Sequence, residues 1–168
     1  MSVTYDKIQT TTLGSAQASV TFSAISGSYT DLVLISNVDI TSAGASINIR
    51  FNSDTGNNYS YITIYGNGIA HATNKATNQN KSYIAAYVAP NTSLETVIVT
   101  NIQNYSNTTT NKTLISRSNR ASASNSPGAE VLSGLWRNTS AITSITLAAD
   151  SGNIDTGSTF TLYGIKAE

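Results

Sequence analysis

One histidine, His71, stands in a chain of 168 residues, inside Gly68-Ile69-Ala70-His71-Ala72-Thr73. Nucleophilic hydrolysis needs a base beside a Ser or Cys and a third group that orients the base. The chain has no cysteine and no Gly-x-Ser-x-Gly elbow, and no carboxylate or nucleophile sits at a recognisable motif spacing from His71. A triad built on that residue is not expected. His71 reads as a loop residue at an interface or in solvent.

Paired carboxylates would be needed for acid/base work on a glycoside. Asp31, Asp39, Asp54, Glu95, Glu130, Asp150 and Asp155 are available, and most are expected at strand ends or turns. Asp54, Asp150 and Asp155 lie beside Gly and Asn, where an Asx turn accounts for them. The stretch Asn52-x-Asp54-x-Gly56-x-Asn58 places an oxygen at alternate positions, as a calcium loop does. It lacks the EF-hand glycine offset and the closing bidentate Glu and carries one charge, so a turn is expected and no metal or other cofactor is implied.

Tyrosine is the one abundant residue that suits recognition, with nine copies against three Phe and one Trp. Tyr59, Tyr61 and Tyr65 alternate along one predicted strand, and Tyr83 and Tyr87 along another. Such stripes build a core, anchor a protein interface or stack on sugars, because a ring combines large contact area with a polar tip.

The elements that must position these side chains are strands. Ser, Thr and Asn number 24, 24 and 18, threaded through short alternating apolar segments. Charged residues make up 11% and hydrophobic residues 39%. Eleven strands are expected, at Tyr5 to Leu13, Ser19 to Ile25, Tyr29 to Ile40, Ser46 to Phe51, Tyr59 to Gly66, Tyr83 to Val88, Leu94 to Ile102, Thr113 to Arg117, Val131 to Trp136, Ile142 to Leu147 and Phe160 to Ile165. The Asn52 to Asn58 turn is expected to close a hairpin between the fourth and fifth. No window carries the apolar stripe of an amphipathic helix.

Strands at these spacings predict an all-β, antiparallel β-sandwich in one domain over 1–168, jelly-roll-like because several connections are too long for a meander. Residues 1–15 form either a first strand or an extended arm. The polar segments Asn67 to Lys81 and Arg120 to Ala129 are expected as surface loops, where partner contacts concentrate.

Nine Lys plus Arg against nine Asp plus Glu leave no basic footprint for nucleic acid or an anionic membrane. No stretch approaches a transmembrane span, and no secretory signal is recognised, which predicts synthesis in the cytoplasm. Without such a signal the Asn-x-Ser/Thr triplets at Asn58, Asn80, Asn91, Asn104, Asn107, Asn111 and Asn138 are expected by chance in so Asn-rich a chain.

Three segments carry a resemblance: Val20-Thr21-Phe22-Ser23-x-Ile25-x-Gly27-x-Tyr29-Thr30-Asp31-Leu32-Val33-Leu34, then Ile49-Arg50-Phe51-Asn52-x-Asp54-Thr55-Gly56-x-Asn58-Tyr59, and Gly157-Ser158-Thr159-Phe160-Thr161-Leu162-Tyr163-Gly164-Ile165-Lys166. Together they resemble small structural proteins of tailed bacteriophages, of the capsid decoration (cement) or fibre-module type. The resemblance implies a jelly-roll-like β-sandwich in the virion, no enzyme activity, and partners among the major capsid protein or other virion proteins. It also implies a homo-oligomer, trimer or dimer; in the fibre alternative a host glycan is the ligand. Partner contacts are expected at Tyr5, His71, Lys75, Tyr83, Tyr87, Arg120 and Pro127.

Overall fold

The computed structural model describes residues 4–42, 44–88, 96–120 and 128–166. Twelve strands follow one another: β1 (Tyr5–Thr12), β2 (Ser19–Phe22), β3 (Asp31–Val38), β4 (Ile47–Phe51), β5 (Tyr59–Gly66), β6 (His71–Gln79), β7 (Ser82–Ala85), β8 (Thr96–Gln103), β9 (Lys112–Arg120), β10 (Gly128–Trp136), β11 (Ile145–Ala149) and β12 (Thr159–Ile165). They form two antiparallel sheets, an eight-stranded one in the order β1-β12-β3-β8-β9-β10-β5-β6 and a four-stranded one in the order β2-β11-β4-β7. The chain is an all-β sandwich, and most connections cross from one sheet to the other.

The core lies between the sheets because strand alternation points one set of side chains inward. Leu32, Leu34, Ile98, Ile102, Leu114, Leu132, Phe160 and Leu162 from the large sheet meet Val20, Phe22, Ile47, Ile49, Ile84, Ile145 and Leu147 from the small one, all buried. β12 is an interior strand, paired with β1 on one side and β3 on the other. Residues 5–12, for which an arm was the alternative, are a paired strand with a register shift between Lys7 and Gln9.

Two expectations fail. The Asn67 to Lys81 segment is mostly the edge strand β6, hydrogen-bonded to β5. Having one neighbour and a face in solvent, it tolerates a polar sequence without apolar alternation. Nor do β4 and β5 form a hairpin: β4 pairs with β11 and β7, and β5 with β10 and β6. The Asn52 to Asn58 turn is a corner between sheets, opened by two left-handed residues, Asn52 (φ 51) and Ser53 (φ 56). In place of ladder bonds, the hydroxyl of Tyr59 accepts from the Phe51 N–H at 2.9 Å.

The small sheet is half as wide as the large one. Its edge strand β7 lies over β9, β10 and β5, and just beyond its end, under residues 86 and 87, a cavity opens between the sheets.

Candidate functional site

The cavity encloses about 340 Å³ and is lined by Tyr65, Gly66, Asn67, Ala86, Tyr87, Ser118, Arg120, Gly128, Ala129 and Glu130. Cross-strand register assembles it: Glu130 pairs with Ser118 on β9 and with Tyr65 on β5, and Gly128 pairs with Arg120. All three strands turn these residues toward the sandwich interior at its open end.

Glu130 is 8% exposed. Its Oε2 accepts from the Ala86 N–H at 2.9 Å and the Ser118 hydroxyl at 3.3 Å, while Oε1 has no hydrogen-bond partner among the described residues. Burial pushes its carboxyl up from the ordinary range; the Ala86 N–H, the Ser118 hydroxyl and the Arg120 charge pull the other way. Glu130 sits in β10 among inward residues, one position before the strand expected from Val131. Its neighbours Ala129 and Val131 gave no signal of that in sequence.

Arg120 lies over the Tyr87 ring, its Cζ 3.8 Å from the centroid. Stacking fixes a guanidinium plane while leaving the N–H groups at its rim free to donate. Gly128 makes this placement possible, because a Cβ there would stand 2.5 Å from Arg120 Nε.

Of the expected contact residues, Tyr87 and Arg120 meet in this cavity. Tyr83 does not join them: its strand ends at Ala85, so Tyr83 and Tyr87 share no stripe. The Tyr83 ring packs edge-on against Tyr61 at 5.0 Å, and its hydroxyl donates to Asp150 Oδ2 at 2.6 Å. Tyr59, Tyr61 and Tyr65 do share a face, grading from wholly buried Tyr59 to exposed Tyr65 at the cavity mouth. Burial pushes the Tyr59 hydroxyl up to about 12. His71 opens β6 opposite Gly66 and Lys75 lies farther along it, both exposed. Tyr5, exposed on β1, meets Tyr163 edge-on at 6.3 Å. Pro127 lies outside the described residues.

Asp54 and Asp150 have structural roles, and Glu95 lies outside the described residues. Asp150, for which an Asx turn was expected, accepts from Lys81 Nζ at 2.6 Å, Tyr83 and Asn48 Nδ2 at 2.8 Å, tying β4 and the start of β7 to the end of β11. The oxygens of the Asn52 to Asn58 corner face protein donors: Asn52 Oδ1 accepts from the N–H groups of Thr143 and Ser144, and Asp54 from Gly56, Asn58 and Trp136. Among the described residues no group of three or more His, Cys, Asp or Glu is placed to hold a metal ion.

A second feature lies on the opposite face of the large sheet. One cross-strand row runs Thr161, Ile35, Val99, Arg117, Val131, Ile64, Thr73, and the next runs Val33, Asn101, Ile115, Ser133, Ile62, Lys75. Ile64 is 59% exposed, and Ile35, Ile62, Ile115 and Val131 are exposed with it. Alternation within single strands does not report that β-branched apolar residues gather on this face.

No protein-family model matches the chain, and no curated protein does. Among solved structures it is similar to a galectin of Caenorhabditis elegans at 12% identity and a TM-score of 0.35, over 91% of this chain and 94% of that one. It is also similar to a Shewanella oneidensis protein of unknown function at 11% identity and a TM-score of 0.22, over 98% of this chain and 77% of that one.

Proposed function

We propose that the chain is a non-enzymatic structural protein that works by packing the outer face of its eight-stranded sheet against protein subunits. The observation that carries this is the exposed Ile and Val cluster on that face. An eight-stranded sheet with strands about 4.8 Å apart and about 20 Å long presents on the order of 800 Å², about what one partner contributes to a standard interface. Exposed apolar surface of this kind marks association where it clusters, and the register sets Val131 beside Ile64, with Ile62 and Ile115 flanking Ser133 in the next row.

The resemblance to tailed-phage structural proteins makes virion subunits the partners, the major capsid protein first. In that role the protein is a decoration protein: binding only the assembled lattice, it stabilises that lattice by mass action. Neutral net charge suits dense packing beside other copies.

The test uses purified particles of a tailed phage that encodes the chain. Heads and tails are separated and each fraction is probed by mass spectrometry. Recovery with the heads is expected, as is loss of head binding by a folded Ile64→Lys, Val131→Lys variant. Absence from particles, or undiminished binding by that variant, would overturn the reading.

A further inference from the structure

We propose that the cavity between Tyr65, Tyr87, Arg120 and Glu130 binds a neutral polyhydroxylated ring, the pyranose unit of a carbohydrate, with Arg120 donating to its oxygens. This site faces the sandwich interior and is separate from the outer sheet face, so either reading stands without the other.

Charge decides the ligand class. Arg120 and Glu130 both line the cavity, and among the described residues no other charged side chain does. A cationic ligand would meet the guanidinium, and an anionic one the buried carboxylate; each would place like charges together in a poorly solvated space. A neutral ligand avoids both, provided that it offers acceptors to the guanidinium. Hydroxyl groups do so, and they can also donate to any carboxylate or carbonyl oxygen within reach.

Shape points the same way. The volume, about 340 Å³, lies at the small end of ligand pockets and suits one ring in place of an extended chain. Arg120 covers one face of Tyr87, and half-exposed Tyr65 also lines the cavity, where its ring can lie against the C–H face of a pyranose. The guanidinium is already oriented: it lies over Tyr87 and makes no hydrogen bond among the described residues, so little side-chain freedom is lost on binding. Gly128 keeps the space beside Arg120 clear.

The full-length ¹⁵N-labelled protein is titrated into the millimolar range with methyl glucoside, methyl galactoside, methyl mannoside and N-acetylglucosamine, and separately with inorganic phosphate. At least one sugar should give saturable amide shifts at Ala86, Tyr87 and Gly128. Affinity for that sugar should fall about tenfold or more in Arg120→Ala, and also in Arg120→Lys, whose ammonium has no planar fork. Amide shifts far from the cavity report whether each variant keeps its fold. The proposal is overturned if none of the four sugars saturates these amides, if folded Arg120→Ala binds as well as the original, or if phosphate binds there and the sugars do not.

Discussion

The indole Nε1 of Trp136 donates a 2.7 Å hydrogen bond to Oδ2 of Asp54, 82 residues away in the chain. The same carboxylate accepts from Asn58 Nδ2 and from the Gly56 N–H, each at 2.8 Å, so one side chain organises the sheet-crossing corner and fastens it to the end of β10. Beneath it, the Trp136 ring stacks on Tyr59 at 6.3 Å and tilts against Phe51 at 5.5 Å. Replacing Asp54 by Ala removes three acceptor contacts and strands the donors. A loss of about 1–3 kcal/mol is expected, with Asp54→Asn milder because an acceptor oxygen remains. Urea unfolding followed by Trp136 fluorescence measures both; an Ala variant as stable as the original would refute the role.

Asp54 and Asp150 predict how stability varies with acidity. Burial raises both carboxyls, but hydrogen bonds from Trp136, Asn58 and Gly56 to the first, and from Lys81, Tyr83 and Asn48 to the second, outweigh it and hold both below the usual carboxylate range. A depressed folded value means that the contribution is complete above the unfolded value of about 4 and is lost as pH falls through the folded values beneath it. Glu130 has the opposite sign: with its carboxyl raised, folding favours the protonated form, and stability gains as pH falls from the raised value toward the ordinary one. Thermal midpoints between neutrality and strong acid should fall less steeply in Asp150→Asn than in the original below about pH 4, and the gain above that pH should vanish in Glu130→Gln. Identical profiles in all three proteins would contradict this assignment.

Gly164 of β12 lies directly beneath the Tyr29 ring, and a Cβ built on it would fall inside that ring's van der Waals envelope. Tyr29 is held from both sides, its N–H donating to the Tyr105 hydroxyl at 3.3 Å and its ring meeting Lys166. An added methyl forces that ring to shift, so Gly164→Ala should cost about 1–3 kcal/mol through overpacking. At Gly14 nothing stands within 4 Å of the added carbon, and Gly14→Ala should be neutral within about 0.5 kcal/mol. Equal midpoints for the two variants would remove the Tyr29 argument.

Much of the sandwich was legible because alternation reports which strands have an inner face. The Phe160 to Ile165 strand, the Ser46 to Phe51 strand and the absence of helix among the described residues follow from residue type alone. What alternation does not encode is which sheet a strand joins. Asn52 to Asn58 reads like a hairpin turn, and it is the contact with distant Trp136, beside the local Tyr59 bond, that fastens it as a corner. β6 escaped because an edge strand needs backbone pairing with β5 and little apolar side chain. The cavity was half visible: Tyr87 and Arg120 stood out as aromatic and charged, whereas Glu130 and Gly128 gain their roles only from cross-strand register.

The place of β12 makes the chain's end a test of the fold. Lying between β1 and β3, it supplies buried Phe160 and Leu162 and backbone partners to both neighbours. Removing residues 159–168 would leave β3 with an open edge and β1 with no strand to pair with, and would strip two large side chains from the core, each worth about 2–5 kcal/mol. Because that sum is comparable to the whole stability of an ordinary domain, the shortened chain should lack a cooperative melting transition. A soluble truncated protein that melts cooperatively would show that the large sheet closes without β12.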